Sequence, residues 1–316
     1  MCQISKEAPR KEDVCSPSRV SKADFDRQVY YCRLIVCATV AVAFVYKQQL
    51  DNLISMAYTR HILPSWVFRH DSFEPSLSSF CFFVYLMFWN SIDYYIPGLH
   101  QYRIQKSDDN KSWKDRYNTW MQEAAWYLLP WLLVVDPLFP RREAWLQSVA
   151  ATTPPTSDRL LYDVFLGLFY YDMFFFAGHF LVHKFKFLFD NIHAKHHQFH
   201  TIRAGDSIRH TFIDGSLDVF YSVMALKFSG AHFLSRAVYD LTAIWLLSEA
   251  HSGMDFPFML HNIIPFRLMG GSVVHDMHHR SGNKNFSKFF THFDWVFGTL
   301  RWECPRTPSL IVSKSN

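Results

Sequence analysis

Fourteen of the chain's seventeen histidines fall between His179 and His292, and their spacing repeats. His179 and His183 stand four apart at the end of an aromatic helical run, so both rings face one side of that helix. His193, His196 and His197 form H-x-x-H-H, and His275, His278 and His279 form it again. On a helix this spacing brings the imidazoles to a common stripe. Eight such rings are costly to bury unsatisfied and repel one another when protonated. A metal relieves both problems, because neutral imidazole is a good ligand for iron or zinc. A lone H-x-x-x-H is as readily an interfacial pair, and a single H-x-x-H-H can be chance. Three boxes in order point to metal.

The donor set narrows the chemistry. Structural zinc sites use four ligands and often cysteine, and catalytic zinc uses three, so eight or more histidines suit two ions. No H-E-x-x-H occurs, so a zincin protease would lack its general base. A zinc transporter would carry its histidines within membrane spans or in a low-complexity loop.

The elements that must position these residues are apolar. Of 316 residues, 49% are hydrophobic, with 31 Phe, 15 Tyr and 10 Trp, a loading that suits lipid-facing surface. Mean hydropathy is nevertheless close to zero, so a membrane part and a polar part share the chain. Four segments, about 29–46, 77–99, 119–139 and 160–178, are apolar enough to cross a bilayer. The richer basic segments, residues 6–27 and 103–116, fall on one side if all four cross, and that side is the cytosol. The chain thus reads as an all-α integral membrane protein, with about four transmembrane helices in two hairpins and a cytosolic, helical, histidine-rich region. Its expected parts are a polar N-terminal tail without a cleavable signal (1–28), the spans and their loops (29–178), the histidine-box region (179–300) and a C-terminal tail (301–316). The apolar stretch 217–235 is expected to pack within the protein or lie in the interface. The six cysteines lack framework spacing and read as reduced thiols. A net charge of +4 without a basic block argues against nucleic acid.

Three boxes after paired membrane segments resemble the fatty-acid hydroxylase superfamily. The runs IWLLSEAHSGMDFPFMLHNIIPF (244–266) and VHDMHHRSGNKNFSKFFTHFDWVFGTL (274–300) are similar to its cholesterol 25-hydroxylase and C-4 methylsterol oxidase branch. Similarity is clear over about 171–301 and weaker from about 97. Two features depart from the cholesterol hydroxylase pattern: Val274 precedes His275 where a histidine is usual, and His210 looks more like the methylsterol oxidase and desaturase branches.

The resemblance implies a diiron centre held by His179, His183, His193, His196, His197, His275, His278 and His279, and adds His251 and His261. His200 and His210 lie nearby in sequence, whereas His232 and His292 read as surface or interfacial. Asp172, two helical turns before the first box, is placed to orient a ligand imidazole, with Glu249, Asn285 and Asp294 as candidates of the same kind. The implied activity is hydroxylation of a sterol or related lipid with O2, in the endoplasmic reticulum membrane, with the active site facing the cytosol. Zinc could replace the two irons in purified protein. No G-x-G-x-x-G, flavin segment or fused cytochrome b5 motif occurs, so cytochrome b5 and its NADH-dependent reductase are the implied electron donors. The alternatives are a C-5 sterol desaturase or C-4 methylsterol oxidase on the same scaffold, and a non-enzymatic membrane protein with a structural metal site.

Overall fold

A computed structural model of the chain describes residues 20–70, 72–105, 114–115, 117–118, 121–122, 153–198 and 201–302. Among these residues every regular element is helical, and strand-like pairing is limited to two isolated bridges, Arg103 with Met254 and Met269 with Phe290.

Helix α1 (Lys22–Val45) starts behind Ser21, whose hydroxyl accepts the Asp24 amide at 3.1 Å and so caps the helix. Only Phe25 and Val29 of α1 are buried, while Ile35, Val40 and Val45 are exposed and Phe44 is 78% exposed. An apolar helix that protein does not cover is one that lipid can cover. After a break at Tyr46 the chain continues as α2 (Lys47–Ala57) and a π-type turn, Tyr58–Ile62. Then follow α3 (Phe73–Tyr95), α4 (Ser157–Lys184), α5 (Phe212–Ser229), α6 (Phe233–Ala250), α7 (Gly271–Ser281) and α8 (His292–Val296). Thr156 and Thr211 cap α4 and α5 through the amides of Arg159 and Asp214. Gly230 and Gly282 end α5 and α7 in the left-handed conformation, which glycine adopts without steric cost.

Helices α4, α5 and α6 enclose a core of Leu168, Tyr171, Phe175, Leu226, Tyr239 and Leu246. Close approach requires glycine at two places on α4. A Cβ at Gly167 would lie 2.7 Å from the Tyr239 ring, and one at Gly178 would lie 1.9 Å from the Tyr221 hydroxyl. The apolar stretch 217–235 buries Ala225, Leu226, Ala231 and Phe233 but leaves Phe220, Val223 and Phe228 exposed, so it packs on the protein along one face only.

Of the expected spans, 160–178 lies inside α4, which runs on through His179 and His183 without a break. Segment 29–46 falls almost wholly within α1, and 119–139 lies outside the described residues apart from two positions. Among the described residues α1 and α4 are long and apolar enough to cross a bilayer. The 77–99 segment forms α3 and then a 3₁₀ turn, Pro97–Tyr102, and its last third is drawn into a polar network. There Asp93 is buried and accepts from Arg103, and from Arg203 at 2.7 Å.

That network ties the polar loop after α3 to the histidine region. The Ile104 amide donates to the Gly253 carbonyl at 3.0 Å, and the Asp255 amide to the Tyr102 carbonyl at 2.8 Å. Gln105 donates to Asp276 on α7 at 2.6 Å. Further along, α3 is joined to α6 by a two-pronged ion pair, with Arg236 donating to Glu74 at 2.7 and 2.6 Å. Both side chains are largely buried, so removing one leaves the other's desolvation uncompensated. Glu74→Ala is expected to destabilise the protein by about 3 kcal/mol, measured as thermal unfolding in detergent. An unchanged midpoint would show that the pair does not hold α3 to α6.

Candidate metal centre

Two groups of imidazoles meet where α4, α6, α7 and the segment 189–198 converge. His179, His183, His193, His197 and His278 form the first, and His196, His251, His275 and His279 the second. Within each group one nitrogen per ring lies within 4.8 Å of the others. In the first group the Nε2 atom of His179 faces that of His193 at 3.0 Å and that of His183 at 3.1 Å, and His278 faces His197 at 3.1 Å. In the second, His275 faces His251 at 2.8 Å and His279 at 3.2 Å. The two groups touch, since the His197 and His279 rings stack with centroids 4.5 Å apart.

The local chain path explains the split. His275 and His279 are one turn apart on α7 and enter the second group, while His278, three residues on from His275, turns to the first. The second box is not on an α-helix, contrary to the single stripe that its spacing suggests. His193 ends a π-type turn, Phe189–His193, and His196 and His197 lie in a 3₁₀ turn, His196–Gln198. Tighter winding rotates adjacent residues further apart, and His196 and His197 accordingly serve different groups.

The far side of the rings shows which nitrogen is free. The Nδ1–H groups of His179, His251 and His278 donate to the carbonyls of Phe286, Leu247 and Lys284, each at 2.8 Å. The Nδ1–H of His193 donates to the Asp214 carboxylate at 2.9 Å. These bonds assign the proton to Nδ1 and leave the Nε2 lone pair pointing inward. Burial, with the neighbouring imidazoles adding to it, holds His196, His197, His251, His275 and His279 well below their ordinary pKa, and takes His278 down to about 3. Neutral rings whose lone pairs face one another at such distances repel unless a cation lies between them. The donor chemistry fits metal: nitrogen-only, deprotonated, oriented from outside and divided into two adjacent sets.

Other sequence-selected residues take different places. His261 stands outside both groups, because its Nε2–H is directed to Asp255 at 3.0 Å. His210 packs against His196, with ring centroids 4.6 Å apart, and its Nδ1 is 4.0 Å from Asp218. His232 accepts the Leu234 amide at the start of α6, His292 stacks on Phe169, and His200 lies outside the described residues. Asp172 does not orient an imidazole directly. Its carboxylate accepts the amides of Lys288, Phe289 and Phe290 at 2.6, 2.9 and 2.8 Å. Asp294 accepts the amides of Phe286 and Ser287, and thereby sets the peptide whose carbonyl holds His179. Asn285 bonds the Val274 carbonyl and the Arg301 backbone, and Glu249 accepts from Trp245. Sequence reasoning missed Asp214; the only trace was a Thr211-x-x-Asp214 helix start, which alone signals a cap. The carbonyl acceptors have no sequence signature.

The fatty acid hydroxylase family profile matches residues 164–299. Human cholesterol 25-hydroxylase is 38% identical over 146 residues, covering 45% of this chain and 52% of that protein. The zebrafish (Danio rerio) cholesterol 25-hydroxylase-like protein is 30% identical over 173 residues, covering 54% and 68%. Methylsterol monooxygenase 2-2 of Arabidopsis thaliana is 32% identical over 138 residues, covering 42% and 51%. The match thus spans about half the length of the human enzyme. No solved structure matches.

Two outcomes follow from the ring geometry. Asp214→Ala frees the His193 Nδ1–H and is expected to weaken metal binding by about 10–100-fold, read by competition with a chelator; unchanged affinity would show that the carboxylate does not orient the ring. The metal-free protein unfolds to histidines that protonate near pH 6.5, while the folded rings of His196, His197, His251, His275, His278 and His279 stay neutral. Its stability is therefore complete above that pH and falls as pH drops, by about 1.4 kcal/mol per pH unit for each buried ring. A flat unfolding midpoint between pH 7 and 5, with chelator present, would contradict this.

Proposed function

The chain belongs to the fatty acid hydroxylase family, and from that premise we propose that it is a membrane-bound non-heme diiron monooxygenase that hydroxylates a sterol or related lipid. The observation that carries this reading is the pair of adjacent, nitrogen-only histidine groups at the end of an apolar helix long enough to cross a bilayer. The similarity to a cholesterol 25-hydroxylase and a methylsterol monooxygenase supports a sterol as the substrate class.

In this reading His179, His183, His193, His197 and His278 hold one iron, and His196, His251, His275 and His279 the other. Bound iron supplies the activation of O2 needed to oxidise an unactivated C–H bond. The overall reaction takes a C–H bond, O2, two electrons and two protons to an alcohol and water. The chain's residues do the rest. Asp214 and the carbonyls of Phe286, Leu247 and Lys284 keep each Nε2 lone pair directed inward. Burial of the rings excludes bulk water from the centre. The electrons come from cytochrome b5 and its reductase, and the protein sits in the endoplasmic reticulum membrane with four spans in two hairpins and its centre toward the cytosol. Segments 1–28, 29–178, 179–300 and 301–316 are its tail, membrane, catalytic and terminal parts.

A second reading, C-4 methylsterol oxidation or C-5 desaturation on the same scaffold, draws support from the methylsterol monooxygenase similarity and from His210 packed on His196. Product analysis separates the two. Microsomes containing the expressed protein, given NADH and a panel of sterols and fatty acids, are expected to add one oxygen atom to a sterol, and His196→Ala microsomes to add none. Loss of two hydrogens instead would establish desaturation. A purified chain that binds no iron and changes no lipid would overturn the proposal.

A further inference from the structure

After α7 the chain runs back along α4, away from the histidines and toward the start of that helix. The Phe286 ring lies 5.9 Å from that of His179, Phe289 lies 5.3 Å from Tyr171, and Phe290 lies 5.9 Å from Phe165. The chain then turns at Thr291 and returns through α8. There Phe293 lies 5.8 Å from Phe169 and 5.7 Å from Phe176, and Phe297 lies 5.1 Å from Phe176. A second turn, residues 266–268, is tied to the tip. The Thr291 amide donates to the Leu268 carbonyl at 3.0 Å, and the Thr291 hydroxyl to the Arg267 carbonyl at 2.6 Å. A rise of 1.5 Å per residue puts Phe165 and Phe176 about 8 and about 24 Å past residue 160, where the expected span begins, and bilayer hydrocarbon is about 30 Å thick. Segment 286–297 is thus level with the apolar part of α4.

Its outer surface suits that depth. Phe266 is 89% exposed and Trp295 73%, with Leu268, Val296 and Phe297 exposed beside them. Leu161 and Phe165 continue this apolar surface along α4. Phe266 and Arg267 have φ of 62° and 57°, a left-handed conformation that residues with a bulky side chain avoid, so the turn holds Phe266 outward on a strained backbone. Within 265–268 and 286–301 the one carboxylate, Asp294, is fully buried. Lys288 turns inward, over the Phe175 ring at 4.3 Å. Arg267 carries its guanidinium to 5.2 Å from the Trp302 ring, next to Arg301, whose amide bonds Asn285 near the end of α7. A long cationic side chain reaching toward the polar end is what snorkelling requires.

Hydrogen bonding in the segment fits the same surroundings. Six consecutive amides, residues 286 to 291, all have protein acceptors: Asp294 takes two, Asp172 three and the Leu268 carbonyl one. Irregular backbone at membrane depth must be satisfied within the protein, because hydrocarbon offers no water.

We propose that segment 286–297 and the turn 266–268 form a re-entrant wedge that meets acyl chains in the leaflet nearest the histidine groups. The inference rests on the membrane-bound reading and deepens it. His179 follows Phe176 by about 5 Å along α4, so the wedge holds the first histidine group at the headgroup boundary. A lipid substrate then reaches the centre without leaving the bilayer.

The test is photocrosslinking of the full, metal-loaded chain in phosphatidylcholine nanodiscs. Benzoylphenylalanine, a photoreactive analogue of phenylalanine, replaces one residue at a time, and adducts are identified by mass spectrometry. Phe266 and Phe297 are the probes, Phe44 on the exposed half of α1 reports lipid contact independently, and Asn283, exposed after α7, is the control. Phospholipid adducts at 266 and 297 are expected in yields comparable with 44 and several-fold above 283. Yields at 266 and 297 no higher than at 283 overturn the wedge, as do crosslinks from both to a second copy or another protein without lipid. Adducts at 44 alone remove the wedge and leave the membrane reading. Absence of lipid adducts at all three removes both, and adducts at 266 and 297 without 44 keep the wedge and remove α1 from the bilayer.

Discussion

Lone pairs held against lone pairs are the constraint on which this fold is organised. Nine imidazoles crowd into two touching groups, and at least four of them direct Nδ1–H to acceptors behind the ring. Without a cation between them such an assembly repels itself, and protonation would only exchange one repulsion for another inside a buried volume. The surrounding helices must supply enough packing and hydrogen bonding to keep the rings in place. The core joining α4, α5 and α6 lies directly beneath the first group, with Phe175 in contact with both.

The loop after α7 carries much of the hydrogen-bonding load. Five consecutive amides, Phe286 to Phe290, are all taken by two buried carboxylates, Asp294 and Asp172. Five amide bonds satisfy the two buried carboxyl groups and hold the loop in a single conformation. Its carbonyls then become usable: Phe286 orients His179, and Lys284 orients His278. The same fixed backbone places the Lys288 ammonium over Phe175. Orientation of the rings, and a cation beside the site, thus come from one short segment.

Continuity between apolar and polar parts is the second organising feature. Helix α4 begins at a proline-flanked threonine cap, continues through an aromatic run and ends at the first two histidines without interruption. Because a helix transmits position at 1.5 Å per residue with little bending, the depth of α4 fixes the height of the first group. Helix α1 is exposed along its apolar half and is pinned by Arg33 to the carbonyls that follow His261. The exposed apolar helix α1 and the segment that follows His251 of the second histidine group are therefore neighbours.

How much of this could be read from the chain depended on whether the signal was local. The apolar runs of α1 and α4 and the three boxes are local patterns, and they specified a helical protein with clustered imidazoles. The family's sequence pattern also pointed to His251. Local spacing misjudged the second box, where a π-type and a 3₁₀ turn replace an α-helix and send His196 and His197 to different groups. It also misjudged Asp172, whose partners lie more than a hundred residues away. Grouping of the rings, the Asp214 bond, the diversion of His261 to Asp255 and the burial of Lys288 were decided only by tertiary structure. The physical reason is that which nitrogen is free, and which charge is desolvated, depends on atoms brought close by packing rather than by sequence.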